Sequence, residues 1–300
     1  MDKSFFDHKI WGVNWYLNGP VPEMKDLYFD LANPRRCSNK RHPCVWKDDF
    51  GRTIHDWSTA PLRELHKRAY RLVKAKNPDG AMYGHVGSRR YPGDVFFDVI
   101  STGESLAIKV LKNYNYFEVF TPEMMLSYFV PRAQEIMVAC PPQLLRSREC
   151  WDRNLYNSYN CNTPENVRAI RHCIAYIKIH DMRMPRGPDH REGPQFFKVD
   201  APVCRLGPER RYSAYFHEGE LPVSVSRPMD RFLWSWHRND HEGVLILLND
   251  TDETVTETVS VTGLSAQGTE LLDGGKFDFT KGTCTITFPP RDARFIRFSF

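Results

Sequence analysis

Acids and imidazoles punctuate the first two-thirds of this chain at the ends of short apolar runs. Asp30 closes the aromatic run "YFD" at 28–30, and a loop rich in Arg, Asn, His and Cys follows, with Arg36, Asn39 and His42 in it. His85 sits in "MYGHVGS", Asp98 in "DVFFDVIS", Glu104 in "STGES", and His180–Asp181 after an apolar helical stretch. Polar side chains at the carboxyl ends of strands are where parallel α/β folds meet their ligands. Two carboxylates from different strand ends can flank one bond. One group protonates a leaving oxygen while the other attacks or activates water, the division of labour of glycoside hydrolysis. Asp30 and Glu104 are the candidates for that pair, with Arg36, Asn39, His42, His85, Asp98 and Asp181 as candidate binding groups.

Each of these residues also has a plainer reading. Asp30 can cap a helix or pair with Arg35 or Arg36. Glu104 can be a first-turn acid favoured by a helix dipole. Asp98 can face a helix, because neighbours along a strand point to opposite sides. Single histidines such as His42 and His85 most often satisfy hydrogen bonds in a loop or core. Trp46, Trp57 and Trp151 are read as packing residues rather than sugar platforms. Cys37, His42 and Cys44 are close enough in sequence to suggest a metal. Their spacing matches no standard zinc pattern, so two loop thiols or a local disulfide are expected, and no metal or other cofactor.

The elements that must position these groups alternate in type. "KDLYFDLA" (25–32), "AMYGHVGS" (81–88), "DVFFDVIS" (94–101) and "AQEIMVAC" (133–140) read as strands. Residues 33–58 read as one long loop with a turn at "DDFGR". Helical spacing of Leu62, Leu65, Ala69, Leu72 and Val73 follows a cap at Ser58 or Thr59, with Pro61 in the first turn. "TPENVRAIRHCIAYIKI" (163–179) is a second helix, capped by Thr163. Residues 1–24 read as a short helix or irregular lead-in, and 121–131 include a short helix after Thr121. This strand–loop–helix rhythm predicts parallel βα units over about 25–185. Beyond about 205 the pattern changes to nine short strands with turn residues between them, which predicts an antiparallel β-sandwich.

Composition narrows the function classes. The apolar fraction of 41% and charged fraction of 26% over 300 residues fit a folded globular chain with a substantial core. The net charge of +4 is spread among acids, without the basic block that a nucleic-acid partner calls for. No stretch approaches a membrane span, and the first residues lack the apolar segment of a signal peptide. Eight cysteines are too sparse for a disulfide scaffold.

"YFD", the N-x-x-H of Asn39 and His42, "RELHKRAY", the His of "GHVGS" and the "GE" of Gly103–Glu104 together resemble the later barrel strands of glycoside hydrolase family 123 and its relatives. The resemblance spans about residues 25–185, and the terminal β segment resembles the accessory domain that follows such barrels. It implies a (β/α)8 barrel with a sugar-binding cleft, a carbohydrate substrate, Asp30 and Glu104 as the acid pair, and His42, His85 and Asn39 on sugar hydroxyls. Relatives of this kind are commonly exported. Family 123 proper uses an adjacent Asp–Glu pair with help from the substrate's acetamido group. No such pair stands at a strand end here, so that mechanism does not carry over. Four or five βα units fit before the sandwich where a closed barrel has eight. The expected fold is therefore α/β, a partial (β/α)8 TIM barrel over 1–204 and an antiparallel β-sandwich over 205–300. The short barrel is expected to be a fragment, the product of a split gene or a degenerate barrel; in the first two cases an upstream domain is missing from this chain. The leading expectation is a glycoside hydrolase, or the C-terminal part of one. The second is a non-catalytic carbohydrate-binding or scaffolding protein. A third is a metal-dependent hydrolase using His42, His85, His180 and Asp181.

Overall fold

A computed structural model of the chain describes residues 3–19, 24–30, 32–39, 41–86, 93–102, 121–129, 137–139, 164–183, 193–226 and 231–300. They belong to two compact units. The first comprises 1–102 and 132–139, and the second 103–131 and 140–300.

In the first unit, strands β1 (Leu27–Phe29), β4 (Met82–His85), β5 (Val99–Ser101) and β6 (Met137–Ala139) form a parallel sheet in the order β1-β4-β5-β6. Among these four strands chain order equals sheet order. Helices α1 (Lys3–Asn18) and α2 (Thr59–Lys76) cover one face. Strand alternation decides which side chains they meet. Met82 and Ile100 are buried with Leu17, Ala69 and Val73, and Leu27 and Phe29 pack on the same cluster. Phe29 meets the edge of the buried His66 ring of α2 at 5.4 Å. Gly84 lies on this face too. A Cβ there would come within 2.8 Å of the Phe97 ring, so the strand lies tight against that side chain. Tyr28, Asp30, Tyr83 and His85 are out of phase with these residues and point to the opposite face.

α2 begins where Ser58 and Pro61 predict. The Ser58 hydroxyl, however, does not cap the helix. It accepts from the Arg35 N–H at 3.0 Å, tying the preceding loop to the helix start. That loop is also not structureless. β2 (Val45–Lys47) and β3 (Thr53–His55) pair antiparallel inside it, Val45 opposite His55. The turn read from "DDFGR" closes this hairpin. Asp48 accepts from the Phe50 and Arg52 N–H groups at 3.0 and 2.9 Å, and Gly51 takes the left-handed conformation at φ 75°.

In the second unit, all nine predicted strands form. β7 (Arg211–Ala214), β9 (Phe232–Arg238), β10 (Glu242–Asn249), β12 (Gln267–Glu270), β13 (Lys276–Asp278) and β15 (Ala293–Ser299) make one sheet, ordered β13-β12-β15-β10-β9-β7. β8 (Val223–Val225), β11 (Val255–Val261) and β14 (Thr283–Phe288) make a second, ordered β14-β11-β8. Both are antiparallel and share one core. Trp234, Trp236, Leu245, Leu247 and Phe298 from the first sheet meet Val259, Val261, Ile286 and Phe288 from the second. β9 and β10 are buried on both faces because helix α3 (Pro164–Ile179) covers their outer side. "VLILL" therefore runs apolar without alternation. Helix α4 (Gly193–Arg205) precedes the first of these strands.

A buried carboxylate fixes α3 on the sheet. Asp250, at the end of β10, bonds His172 Nε2 at 2.7 Å, and the Tyr176 hydroxyl donates to it at 2.6 Å. Arg231 and Arg291 donate to the same carboxylate. These donors hold Asp250 below the usual carboxylate range despite its burial. His180 and His237 are buried with few charges to support a proton. Burial lowers His180 to about 4 and His237 to about 3. No helix among the described residues is long and apolar enough to cross a membrane.

Two measurements check this account. Gly84→Ala is expected to lower stability by about 1–3 kcal/mol through overpacking against Phe97, read as a lower urea midpoint at unchanged slope. His180 and His237 stay neutral in the fold and take a proton once unfolded. Stability is therefore full above about pH 6.5 and falls as pH drops toward 4 and then 3. The expected slope is on the order of 1 kcal/mol per pH unit for each histidine. Thermal unfolding of the H180N and H237N variants is expected to lose part of that acid slope.

Candidate functional site

Asp30 stands one residue past the carboxyl end of β1, and His85 ends the neighbouring strand β4. His85 Nδ1 lies 2.8 Å from Asp30 Oδ1. An ionised carboxylate only accepts, so the Nδ1–H donates and the ring presents Nε2 away from the pair. The Ala32 N–H donates to the His85 carbonyl at 2.9 Å, which anchors the chain just beyond Asp30. The Asp30 side chain keeps 61% of its exposure while that of His85 keeps 20%, so the pair lies at the surface with the acid outermost. Tyr28 lies beside Tyr83 at 5.4 Å and beside His85 at 6.3 Å, giving a short aromatic row behind the acid. Across the sheet, register places His85 opposite Ser101 and Ser101 opposite Ala139. One rung at the carboxyl edge thus carries a carboxylate, an imidazole and a hydroxyl.

Ser101 is a residue that sequence reasoning passed over. It ends "DVFFDVIS" one strand along from His85, and counting parallel register from "MYGH" would have found it.

Glu104, the other half of the expected acid pair, lies outside the described residues. The remaining candidates divide. Asp98 was expected at a carboxyl end but precedes β5, which starts at Val99, and so lies at the amino edge. Its Oδ2 accepts the Met82 N–H at 2.8 Å and its Oδ1 pairs with Lys74 at 3.0 Å, so it stitches β4 to α2. Asp181 belongs to the second unit. It is buried, has a left-handed backbone at φ 53°, and takes a two-pronged pair from Arg210, with contacts of 2.5 and 2.9 Å. His180 gives Nδ1–H to the Tyr176 carbonyl at 2.7 Å and meets the Tyr215 hydroxyl at 3.1 Å. Both residues are engaged by groups of their own unit.

Arg36, Asn39 and His42 lie in the segment that the β2–β3 hairpin organises. Arg36 stacks its guanidinium 5.1 Å from the centre of the Trp57 ring and bridges to Trp57 through the backbone. Asn39 accepts the Arg41 N–H at 3.0 Å and its amide nitrogen lies 3.1 Å from His42 Nε2. His42 Nδ1 lies 3.4 Å from Cys37 Sγ. A hydrogen bond from Cys44 lowers the Cys37 thiol below its ordinary range, helped by the Asn39 backbone, and the same bond raises Cys44.

No protein-family model matches the chain, and no curated protein does. Among solved structures, it is similar to an α-amylase of Anoxybacillus at 12% identity and TM-score 0.45, over 79% of this chain and 56% of that one. A maltogenic α-amylase, AmyB from Thermotoga neapolitana, aligns at 11% identity and TM-score 0.49, over 91% and 77%. The α-amylase from Geobacillus thermoleovorans complexed with acarbose aligns at 11% identity and TM-score 0.49, over 100% and 65%. The chain spans 56% of the first of these. They are amylases by name, so the family 123 resemblance of the sequence finds no support among them. At TM-scores below 0.5 they carry no argument for the fold or activity of this chain.

The division between site and scaffold is checked at Asp98. Asp98→Ala leaves the Met82 N–H and the Lys74 ammonium without their acceptor and is expected to cost about 1–3 kcal/mol in chemical denaturation. Ligand binding or turnover by the folded variant is expected to match the parent. A selective loss of either at unchanged stability would return Asp98 to the site.

Proposed function

We propose that the chain is a glycoside hydrolase, or the C-terminal part of one, that cleaves a glycosidic bond with Asp30 and Glu104. Asp30 is the nucleophile or the stabiliser of the oxocarbenium-like transition state, and Glu104 is the general acid/base. The observation that carries this reading is the Asp30–His85 pair, held at 2.8 Å at the carboxyl edge of a parallel sheet. The donated N–H fixes the orientation of the Asp30 carboxylate. His85 is a positioning residue for that acid. Tyr28, half exposed beside it, offers an apolar ring face to a sugar. In this reading the four parallel strands belong to a partial (β/α)8 barrel within 1–204. The face bearing Asp30 and His85 is its lumen, and 205–300 is an accessory β-sandwich.

A second reading, carbohydrate binding without cleavage, is favoured by one observation. Tyr28 and Trp46 are both about half exposed in the first unit and can hold a sugar ring without any second acid.

A panel of aryl glycosides tests the first reading. D30N and E104Q are each expected to lower turnover by about 10²–10⁴-fold with unchanged far-UV circular dichroism. H85A is expected to give a smaller loss that H85N partly restores, because Asn keeps an N–H donor for Asp30. Full turnover in both acid variants would overturn the assignment. A parent protein that binds a glycan array without turnover, in a D30N-insensitive manner, would establish the second reading instead.

A further inference from the structure

The segment before α2 gathers two thiols that the glycosidase reading leaves unused, together with His42, which that reading placed on a sugar hydroxyl. Cys37 Sγ, a ring nitrogen of His42 and Cys44 Sγ all lie within 4.8 Å of one another. The edge from Cys37 Sγ to His42 Nδ1 is 3.4 Å. A tetrahedral zinc with bonds of about 2.3 Å to sulfur and 2.0–2.1 Å to nitrogen requires an S···N edge of about 3.6 Å and an S···S edge of about 3.8 Å. The Cys37–His42 edge lies close to its required value.

The surrounding backbone imposes this arrangement. Asp56, just past β3, serves both cysteines. Its carbonyl accepts the Cys37 N–H at 3.0 Å, and its N–H donates to the Cys44 carbonyl at 2.8 Å. The His55 ring bonds the Cys37 carbonyl from the other side at 2.7 Å. Two tight turns, His42 N–H to Asn39 carbonyl at 3.0 Å and Val45 N–H to His42 carbonyl at 3.1 Å, fold the intervening segment back so that the imidazole reaches the sulfurs. The Asn39 amide N–H donates to the far ring nitrogen of His42 at 3.1 Å, so ligation through Nδ1 requires that contact to rearrange. Both cysteines are free thiols and half-buried.

We propose that Cys37, His42 and Cys44 bind one zinc ion with three protein ligands and a fourth position open to solvent or solute. Thiolate and imidazole donors select zinc over magnesium or calcium. The thiols enter as thiolates, and their protons pass to solvent. The bound ion ties the segment bearing Arg36 and Asn39 to the β2–β3 hairpin. This assignment does not depend on the glycosidase reading.

Cobalt(II) titration of the reduced, chelator-stripped full chain tests it, with zinc as competitor. Saturation is expected at one ion per chain, with a thiolate-to-cobalt charge-transfer band in the near ultraviolet that zinc abolishes. C37S and C44S are expected to lose the band, and H42A to lose stoichiometric binding. C284S, a half-buried thiol elsewhere in the chain, is expected to bind as the parent does. If the serine variants fail to fold, H42A still decides the matter. A band that survives in both C37S and C44S would overturn the proposal. So would failure of the reduced chain to bind either metal while its thiols remain reactive, and so would a Cys37–Cys44 disulfide that forms in preference to metal uptake.

Discussion

The two-residue period of β1 and β4 is the constraint on which the first unit depends. Leu27, Phe29, Met82 and Gly84 must face the helices, because only there do they leave water. Tyr28, Asp30, Tyr83 and His85 are thereby sent to the other side. A slip of one residue in either strand would bury Asp30 or His85 against Phe29 and Val73 and expose the apolar set. The helix-side packing thus fixes the register that brings the acid and the imidazole to 2.8 Å. Gly84 shows how tight that packing is, since the strand approaches Phe97 so closely that no side chain fits between them.

The second unit solves a different problem. Its first sheet is covered on both faces, by the opposing sheet and by α3, and a helix laid on a sheet brings polar groups with it. Asp250 gathers His172 and Tyr176 from the helix with Arg231 and Arg291 from the loops, so one buried carboxylate meets four donors. Such a group is costly to bury and costly to break once paired. Asp181 with Arg210 and Lys178 with Asp200 repeat the device around the same helix. These charges are absorbed by structure, which separates them from the Asp30–His85 pair at the surface.

Much of this architecture was legible in the sequence where the apolar period was strong. "RFLWSWHR", "TVTETVSV" and the spacing of Leu65, Ala69 and Val73 gave their elements directly. The hairpin inside 33–58 was not legible, although its Asp48–Gly51 turn was. Each of its strands has three residues, too few for a period, and its order comes from backbone bonds to Arg35, Cys37 and Cys44. Asp98 misled because a carboxylate near a strand looks the same from either end. Only the strand's starting residue, Val99, shows that it caps the amino edge. Asp181 misled because its partner Arg210 is 29 residues away, beyond any local pattern. The Cys37–His42–Cys44 triangle matched no zinc spacing, since the turns that bring the three together are not encoded in the intervals between them.

The account stands on the claim that the face bearing Tyr28, Asp30 and His85 is where a sugar binds. A crystal structure with a bound iminosugar measures this most directly. The account predicts the sugar at the carboxyl edge of the parallel sheet, with a ring nitrogen or hydroxyl about 2.6–3.2 Å from Asp30 and the ring against Tyr28. A sugar bound elsewhere on the chain, with Asp30 and His85 still paired and untouched, would contradict it.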